Sequence, residues 1–152
     1  MPNESINDEA KKVLISYKQL VVRKQQMENV INRLEKSIQS IKGPNFDSNC
    51  FSGGNSSVAA KIARLVDLKA QFEHIEVLIY SSLLEIEKVL MLVAQEGVLF
   101  ANILHYKFIE FKTIDEISET IKYSRPQSIR KYNAALRCFY RKFKEVKRYG
   151  DS

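Results

Sequence analysis

The sequence has few of the residues that build catalytic or metal centres. Its 152 residues include two Cys, two His and no Trp. Cys50 and Cys138 lie far apart, without the spacing of a zinc site or a redox pair, so both are expected to be free reduced thiols. His74 and His105 have no neighbour spaced as a metal ligand. The sequence therefore predicts neither a metal nor another cofactor.

Motifs of enzymes are missing as well. The pair Gly53 and Gly54 is not followed by the Gly-Lys-Ser/Thr of a nucleotide-binding loop. No Ser/His/Asp or Cys/His constellation is placed by a motif. We therefore expect a protein that is not an enzyme and has no catalytic residues.

Long hydrophobic runs are also absent. Glu85, Glu87 and Lys88 interrupt the most apolar stretch, which leaves no run of about 18 residues that spans a bilayer. The first residues lack the basic and apolar regions of a secretory signal. With 45% hydrophobic and 28% charged residues, the composition is that of a folded domain. We expect a cytoplasmic protein without a membrane partner.

The first segment, about residues 7–42, carries an apolar stripe at alternating steps of three and four, without internal Gly or Pro. This heptad pattern predicts a helix of about 50 Å that packs along its length against another helix. One polar residue, Lys24, interrupts the seam. The seam positions are Ala10, Val13, Tyr17, Leu20, Lys24, Met27, Ile31, Leu34, Ile38 and Ile41.

The stretch after this helix is predicted to be a loop at about residues 43–57, because it begins with Gly-Pro and is rich in Gly, Ser and Asn. The apolar pattern then returns up to Glu96, and Gly97 is expected to end the second helix. Two such helices predict an antiparallel, coiled-coil-like hairpin over residues 1–96. In that hairpin Lys24 is expected to pair with Glu73 or Glu76 and so to fix the register.

The remaining residues, 97–152, are predicted to form a compact C-terminal domain. Its first part, from Val98 to Phe111, is too hydrophobic to be exposed and is expected to be a packing helix. Together with the hairpin, this domain predicts an all-α fold.

Two helix starts follow at a spacing typical of a helix-turn-helix. Thr113 with Glu116, and Ser124 with Gln127, have the pattern of capping boxes. They predict a first helix of about two turns, a tight turn near residues 122–123, and a second helix that starts at Ser124 and runs to the early 140s.

The second helix of this motif is strongly basic. Of the 24 basic residues in the chain, ten lie between positions 122 and 148 with a single carboxylate, Glu145, so the charge is concentrated here. A solvated helix face normally mixes both signs. Basic residues gathered on one helix instead favour binding to the phosphates of a nucleic acid. The ten are Lys122, Arg125, Arg130, Lys131, Arg137, Arg141, Lys142, Lys144, Lys147 and Arg148.

The two sides of this helix differ in character. At 100° per residue the inward side is predicted to carry Ile129, Tyr132, Leu136, Phe139, Phe143 and Val146. On the outward side, Gln127 is suited to adenine edges and Arg130 to guanine edges in the major groove. Lys131, Arg137 and Arg141 are expected to contact phosphates, and Arg125 is expected to contact either a base or a phosphate. The predicted DNA-binding residues are Arg125, Gln127, Ser128, Arg130, Lys131, Ala134, Arg137 and Arg141.

Residues 103–136 also resemble a known group. Ile103-Leu104, Lys107-Phe108-Ile109, Thr113 to Ile117, Tyr123-Ser124 and Ala135-Leu136 are similar to the region 4 helix-turn-helix of sigma factors. They are closer still to phage-encoded late transcription regulators of the RinA and ArpU type. The resemblance implies a DNA-binding regulator of phage or prophage genes, with RNA polymerase as a candidate partner. Lys122 and Ser128 depart from the pattern, where Gly and a small aliphatic residue are usual.

We therefore expect a sequence-specific transcriptional regulator that binds double-stranded DNA, with a homodimer through the hairpin as a candidate assembly because one helix-turn-helix is seldom specific alone. Two alternatives remain. One is a phage packaging protein resembling a small terminase subunit, which a ring of subunits would distinguish. The other is a helical adaptor that binds protein and not DNA.

Overall fold

The computed structural model describes residues 2–41 and 51–150, and they form an all-α fold, as predicted. Within these two ranges there is no β-strand. A π-helical segment, His105–Ile109, continues the third helix. The helices are α1 (Pro2–Ile41), α2 (Phe51–Glu96), α3 (Val98–Leu104), α4 (Ile114–Ile121) and α5 (Arg125–Gly150). No helix of the described ranges is long and apolar enough to span a membrane.

The second helix starts earlier than the sequence predicts. Residues 43–50 of the predicted tip loop lie outside the described residues, but residues 51–57 are part of α2 rather than loop. Gly and Ser are weak helix formers, each less favourable than Ala by about 1 kcal/mol or less. Only Pro blocks a helix outright, and the last Pro before α2 is Pro44.

The chain divides into two compact units at different places from the predicted boundary at residue 96. One unit consists of Met1–Gln19 with Tyr80–Ser152, and the other is Leu20–Ile79. The start of α1 and the end of α2 thus belong to the unit that holds α3, α4 and α5. We call this the α5 unit, and Leu20–Ile79 the two-helix unit.

In the two-helix unit, α1 and α2 run antiparallel, as predicted. The Lys61 ammonium donates to Ser37 Oγ at 2.8 Å, and the Lys69 ammonium lies 2.8 Å from Glu35 Oε1. A later residue of α2 thus faces an earlier residue of α1, which is the order of a hairpin. The buried residues of this unit, within the described ranges, are Ile31, Ile38 and Ile75.

Lys24, which interrupts the apolar seam of α1, contacts an aromatic ring rather than the predicted carboxylate. Its ammonium lies 5.4 Å from the centroid of the Phe72 ring, and it forms no ion pair with Glu73 or Glu76 in the described structure. The aromatic face provides a partner for the charge while the Lys stem covers apolar surface. The predicted ion pair is therefore wrong, although Lys24 does lie opposite this part of α2.

The core of the α5 unit joins α1, α2, α3, the π-helical segment and α5. Leu14 is fully buried there, whereas the predicted seam residue Val13 is only partly buried. The heptad pattern assumes one partner helix, but here α1 faces several elements, so Leu14 is buried beside the predicted seam residue Ala10. The core consists of Ala10, Leu14, Ile86, Val89, Leu90, Val93, Leu104, Phe108, Ala135, Leu136, Cys138 and Phe139.

Gly97 separates α2 from α3, where the sequence predicts the end of a helix. Its backbone is extended, with φ −166° and ψ 113°, so the break does not depend on a left-handed glycine. The Gly97 N–H donates to Val93 O at 2.9 Å. A Cβ at this position would lie 3.1 Å from the Phe100 ring, so the close ring is the local reason for Gly.

The segment from Val98 to Phe111, predicted to be a packing helix, is not buried along its whole length. Ile103 and Leu104 are fully buried, but the side chain of Val98 is 64% exposed and that of Phe111 is 37% exposed. The helical path ends at Ile109, and Phe111 has a left-handed backbone with φ 61°. Its ring lies 6.1 Å from that of Tyr17, which gives this exposed aromatic a partner on α1.

Candidate nucleic-acid interface

The structure confirms the predicted helix, turn and second helix. Thr113 Oγ1 accepts from the Glu116 N–H at 3.2 Å and caps α4, which has eight residues. Lys122 ends α4 in a left-handed conformation, with φ 64°, and its N–H donates to Ser118 O. A non-glycine residue thus holds the turn, at a cost of about 1 kcal/mol or slightly more.

The second capping box is present in both directions and starts α5. The Gln127 N–H donates to Ser124 Oγ, and the Ser124 N–H donates to Gln127 Oε1, both at 3.4 Å. The helix runs to Gly150, beyond the predicted end in the early 140s. No Gly or Pro interrupts residues 127–149, so nothing in the sequence stops it earlier.

The inward face of α5 forms part of the core. Ala135, Leu136, Cys138 and Phe139 are fully buried, and the Tyr132 ring stacks on Phe108 with centroids 6.1 Å apart. Burial raises the pKa of Tyr132 to about 12 and that of the Cys138 thiol to about 11. Cys138 is a free thiol, as predicted, and Cys50 lies outside the described residues.

The outward face of α5 carries a row of exposed cations. At 100° per residue, five of them fall within an arc of about 60°, directly opposite the buried face, and extend over about 27 Å. We call this row the basic stripe. It consists of Arg130, Arg137, Arg141, Lys144 and Arg148.

Most of the predicted DNA-binding residues lie on the surface. Lys131 and Ala134 are partly buried, and the Lys131 ammonium lies 4.7 Å from the centroid of the Tyr123 ring. One prediction is wrong, because Ser128 is only 1% exposed and cannot contact a duplex. The exposed members are Arg125, Gln127, Arg130, Arg137 and Arg141.

The burial of Ser128 follows from the rotation of α5. The residue lies on the same side as Ala135 and Phe139, about two and three turns further along, and its hydroxyl has no hydrogen-bond partner among the described residues. The small aliphatic residue that is usual at this position in the resembled pattern was the signal in the sequence that it faces the core.

Two predicted contact residues at the start of α5 already have intramolecular partners. The Arg125 Nε donates to Asp115 Oδ1 at 2.9 Å, with both side chains mostly exposed. The Gln127 carbonyl oxygen accepts from the Ser124 N–H. A bidentate contact to adenine uses both the oxygen and the nitrogen of the Gln amide, so Gln127 is available as a reader only if this weak cap opens.

A second carboxylate, Glu96, binds the middle of α5. Its Oε2 accepts from the Arg141 Nη2 and from the Cys138 thiol, both at 3.0 Å, and its Oε1 lies 3.3 Å from the Lys142 ammonium. The thiol hydrogen bond, together with Lys142 and Arg141, lowers the pKa of Glu96 although partial burial opposes this. Glu96 is therefore ionised in neutral solution.

Two residues of the basic stripe, Lys144 and Arg148, were not among the predicted DNA-binding residues. Their spacing from Arg130 in steps that return to one helix face was available from the sequence. The carboxylates that approach the stripe were not, since Glu96 and Glu9 come from other helices. Glu9 Oε2 lies 3.8 Å from the Lys144 ammonium.

Within the described residues there is no group of three or more His, Cys, Asp or Glu side chains placed to hold a metal ion. Comparison of the chain with protein-family models, with curated proteins and with solved structures found no match. The geometry of α4, the turn and α5 is therefore the basis for a functional assignment.

Proposed function

We propose that this protein is a non-enzymatic transcriptional regulator that binds double-stranded DNA and places the N-terminal half of α5 in the major groove. One observation carries the proposal: the basic stripe lies on the face of α5 opposite to the buried face. Arg130 and Arg137 are exposed and have no carboxylate partner in the described structure. A core-facing helix with such an outer row is suited to a line of phosphates.

The order of the two helices supports a groove-binding mode. In a helix-turn-helix the N-terminal part of the second helix contacts base edges, and later basic residues reach the backbone. By this rule Arg130 is the principal base reader, and Arg137 is a phosphate contact. The stripe cations beyond Arg137 lie about 24 Å or more from the start of the helix by the 1.5 Å rise, which places them near the rim of the groove.

The regulatory role rests on the resemblance of residues 103–136 to region 4 of sigma factors and to phage late regulators. The capped two-turn α4, the turn at Lys122 and the capped start of α5 are consistent with that resemblance. A phage or prophage origin, a contact with RNA polymerase and a homodimer belong to the proposal on the same basis.

The test is binding of the chain to a random pool of short duplexes, followed by sequencing of the bound fraction and by affinity measurements at about 50 and 200 mM salt. Each engaged phosphate adds about 0.9 to the slope of log affinity against log salt, so each contact predicts a loss of about threefold over this range. Enrichment of one sequence supports specific regulation.

Two results would contradict the proposal. Absence of duplex binding at the lower salt concentration would favour a protein-binding adaptor. Binding without enrichment of any sequence, by a ring of eight or more subunits in solution, would favour a packaging role.

A further inference from the structure

The cations of α5 differ in whether a carboxylate already neutralises them. Arg125 is paired with Asp115 on α4 at 2.9 Å. Arg141 is paired with Glu96 on α2 at 3.0 Å, and Lys142 is 3.3 Å from the same carboxylate. Between these pairs lie Arg130 and Arg137, which are exposed and have no ion pair among the described residues.

Other cations of α5 also lack an ion pair among the described residues, including Lys131, whose ammonium lies over the Tyr123 ring, and Arg148, which lies about 16 Å beyond Arg137 near the end of the helix. Arg130 and Arg137 form a geometric unit. They are seven residues apart, so they lie on nearly the same side of α5 and about 10 Å apart along its axis. Both are on the groove-facing half of the helix in the proposed binding mode. The paired cations flank them, Arg125 at the start of α5 and Arg141 beyond the middle.

The partners of Arg141 make its pairing stronger than an ordinary surface ion pair. Glu96 accepts hydrogen bonds from two nitrogens of the Arg141 guanidinium, from the buried Cys138 thiol, and lies beside Lys142. The Lys142 side chain is only 17% exposed. A bidentate contact held by additional donors is more specific and more persistent than a single exposed pair.

We infer that Asp115 and Glu96 act as internal counter-ions, which leave Arg130 and Arg137 as the phosphate- and base-binding pair of α5. A cation that approaches a duplex with its carboxylate brings a negative charge toward the phosphates. It must give up that partner before it adds a full contact. This inference rests on the proposed function and assigns Arg141, predicted from sequence as a phosphate contact, to anchoring α5 on Glu96 instead.

The experiment measures the salt dependence of binding to one mixed-sequence duplex of about two helical turns. It compares the unsubstituted chain with Glu96→Gln and with Glu87→Gln as a matched control. Glu87 is exposed on the same helix and has no ion pair in the described structure, so both variants gain the same net charge. Glu96→Gln should steepen the slope by about one, which raises the ratio of affinities at 50 and 200 mM about threefold. Glu87→Gln should leave the slope unchanged.

A second pair of variants keeps the test independent of any folding defect in Glu96→Gln. Arg137→Gln should lower the slope by about one, whereas Arg141→Gln should leave it unchanged, with thermal unfolding measured for each variant. Equal slopes for Glu96→Gln and Glu87→Gln, or equal losses for Arg137→Gln and Arg141→Gln, would overturn the inference while the proposed function stands. Failure of the unsubstituted chain to bind any duplex would overturn both.

Discussion

The two-helix unit and the α5 unit bury their apolar side chains to different depths. In the described part of the two-helix unit, the most buried residues are Ile31, Ile38 and Ile75, which keep 4–8% of their surface exposed. In the α5 unit, Leu14 and Phe139 have no exposed surface. Two helices cover each other along one side only, whereas α5 packs against several elements. The basic stripe therefore lies on the unit with the more deeply buried core.

The largest expected effect is at the centre of the α5 unit. Phe139→Ala removes a fully buried ring that stacks on Phe143 at 6.0 Å. It should lower the free energy of unfolding by about 3–5 kcal/mol, measured by urea denaturation. As a control, Met91→Ala, at a side chain 70% exposed, should change it by less than about 0.5 kcal/mol. Similar effects of both substitutions would mean that this core is not packed as described.

A smaller effect is expected in the two-helix unit. Ile75→Ala should cost about 2 kcal/mol, at the low end for a buried Ile, because a site between two helices can partly collapse. Hydrogen exchange should show faster exchange for amides of residues 20–41 and 57–79 than for those of α5. Loss of protection in α5 before the two-helix unit would contradict the contrast between the units.

One substitution in the α5 unit is expected to stabilise the protein rather than destabilise it. Ser128→Ala removes a buried hydroxyl without a hydrogen-bond partner, so it should raise the free energy of unfolding by about 1 kcal/mol. Ser118→Ala is the matched control, because that buried hydroxyl donates to Ile114 O at 2.8 Å and its removal should not stabilise the protein. Thermal unfolding of both variants measures the difference, and stabilisation by Ser118→Ala alone would refute it.

The smallest effect concerns the surface of the two-helix unit. Lys69→Ala breaks the ion pair with Glu35, in which the two side chains are 54% and 38% exposed. Because exposed pairs contribute little, the free energy of unfolding should change by less than about 0.5 kcal/mol. A cost above 1 kcal/mol in urea denaturation would show that this unit depends on its ion pairs more than on its apolar seam.

The sequence predicted those features that depend on local chemistry. The capping residues Thr113 and Ser124 start α4 and α5 where expected. The heptad pattern predicted the antiparallel pairing of α1 with α2, since an apolar stripe needs a partner along its length. The outward placement of Arg130 and Arg137 followed from the apolar residues on the other side of the same helix.

The features that were missed depend on contacts between distant residues. Glu96 meets Arg141 only because α2 and α5 share a core, and no spacing in the sequence indicates that pair. Phe111 has a left-handed backbone and its ring packs against Tyr17 of α1, a contact between distant residues that no local sequence pattern indicates. Ser128 was included among the predicted DNA-binding residues, although the rotation of the helix places it inside.

The most direct test of the proposed interface is the affinity for duplex DNA of the double variant Arg130→Gln/Arg137→Gln. Its control is Arg23→Gln/Arg33→Gln, which removes the same charge from two exposed positions of α1. We predict that the α5 variant loses at least about tenfold in affinity at 100 mM salt, since each lost phosphate or base contact is worth about 1 kcal/mol or more. The control should bind within about twofold of the unsubstituted chain. Equal binding by both variants would contradict the assignment of α5 as the DNA-binding helix.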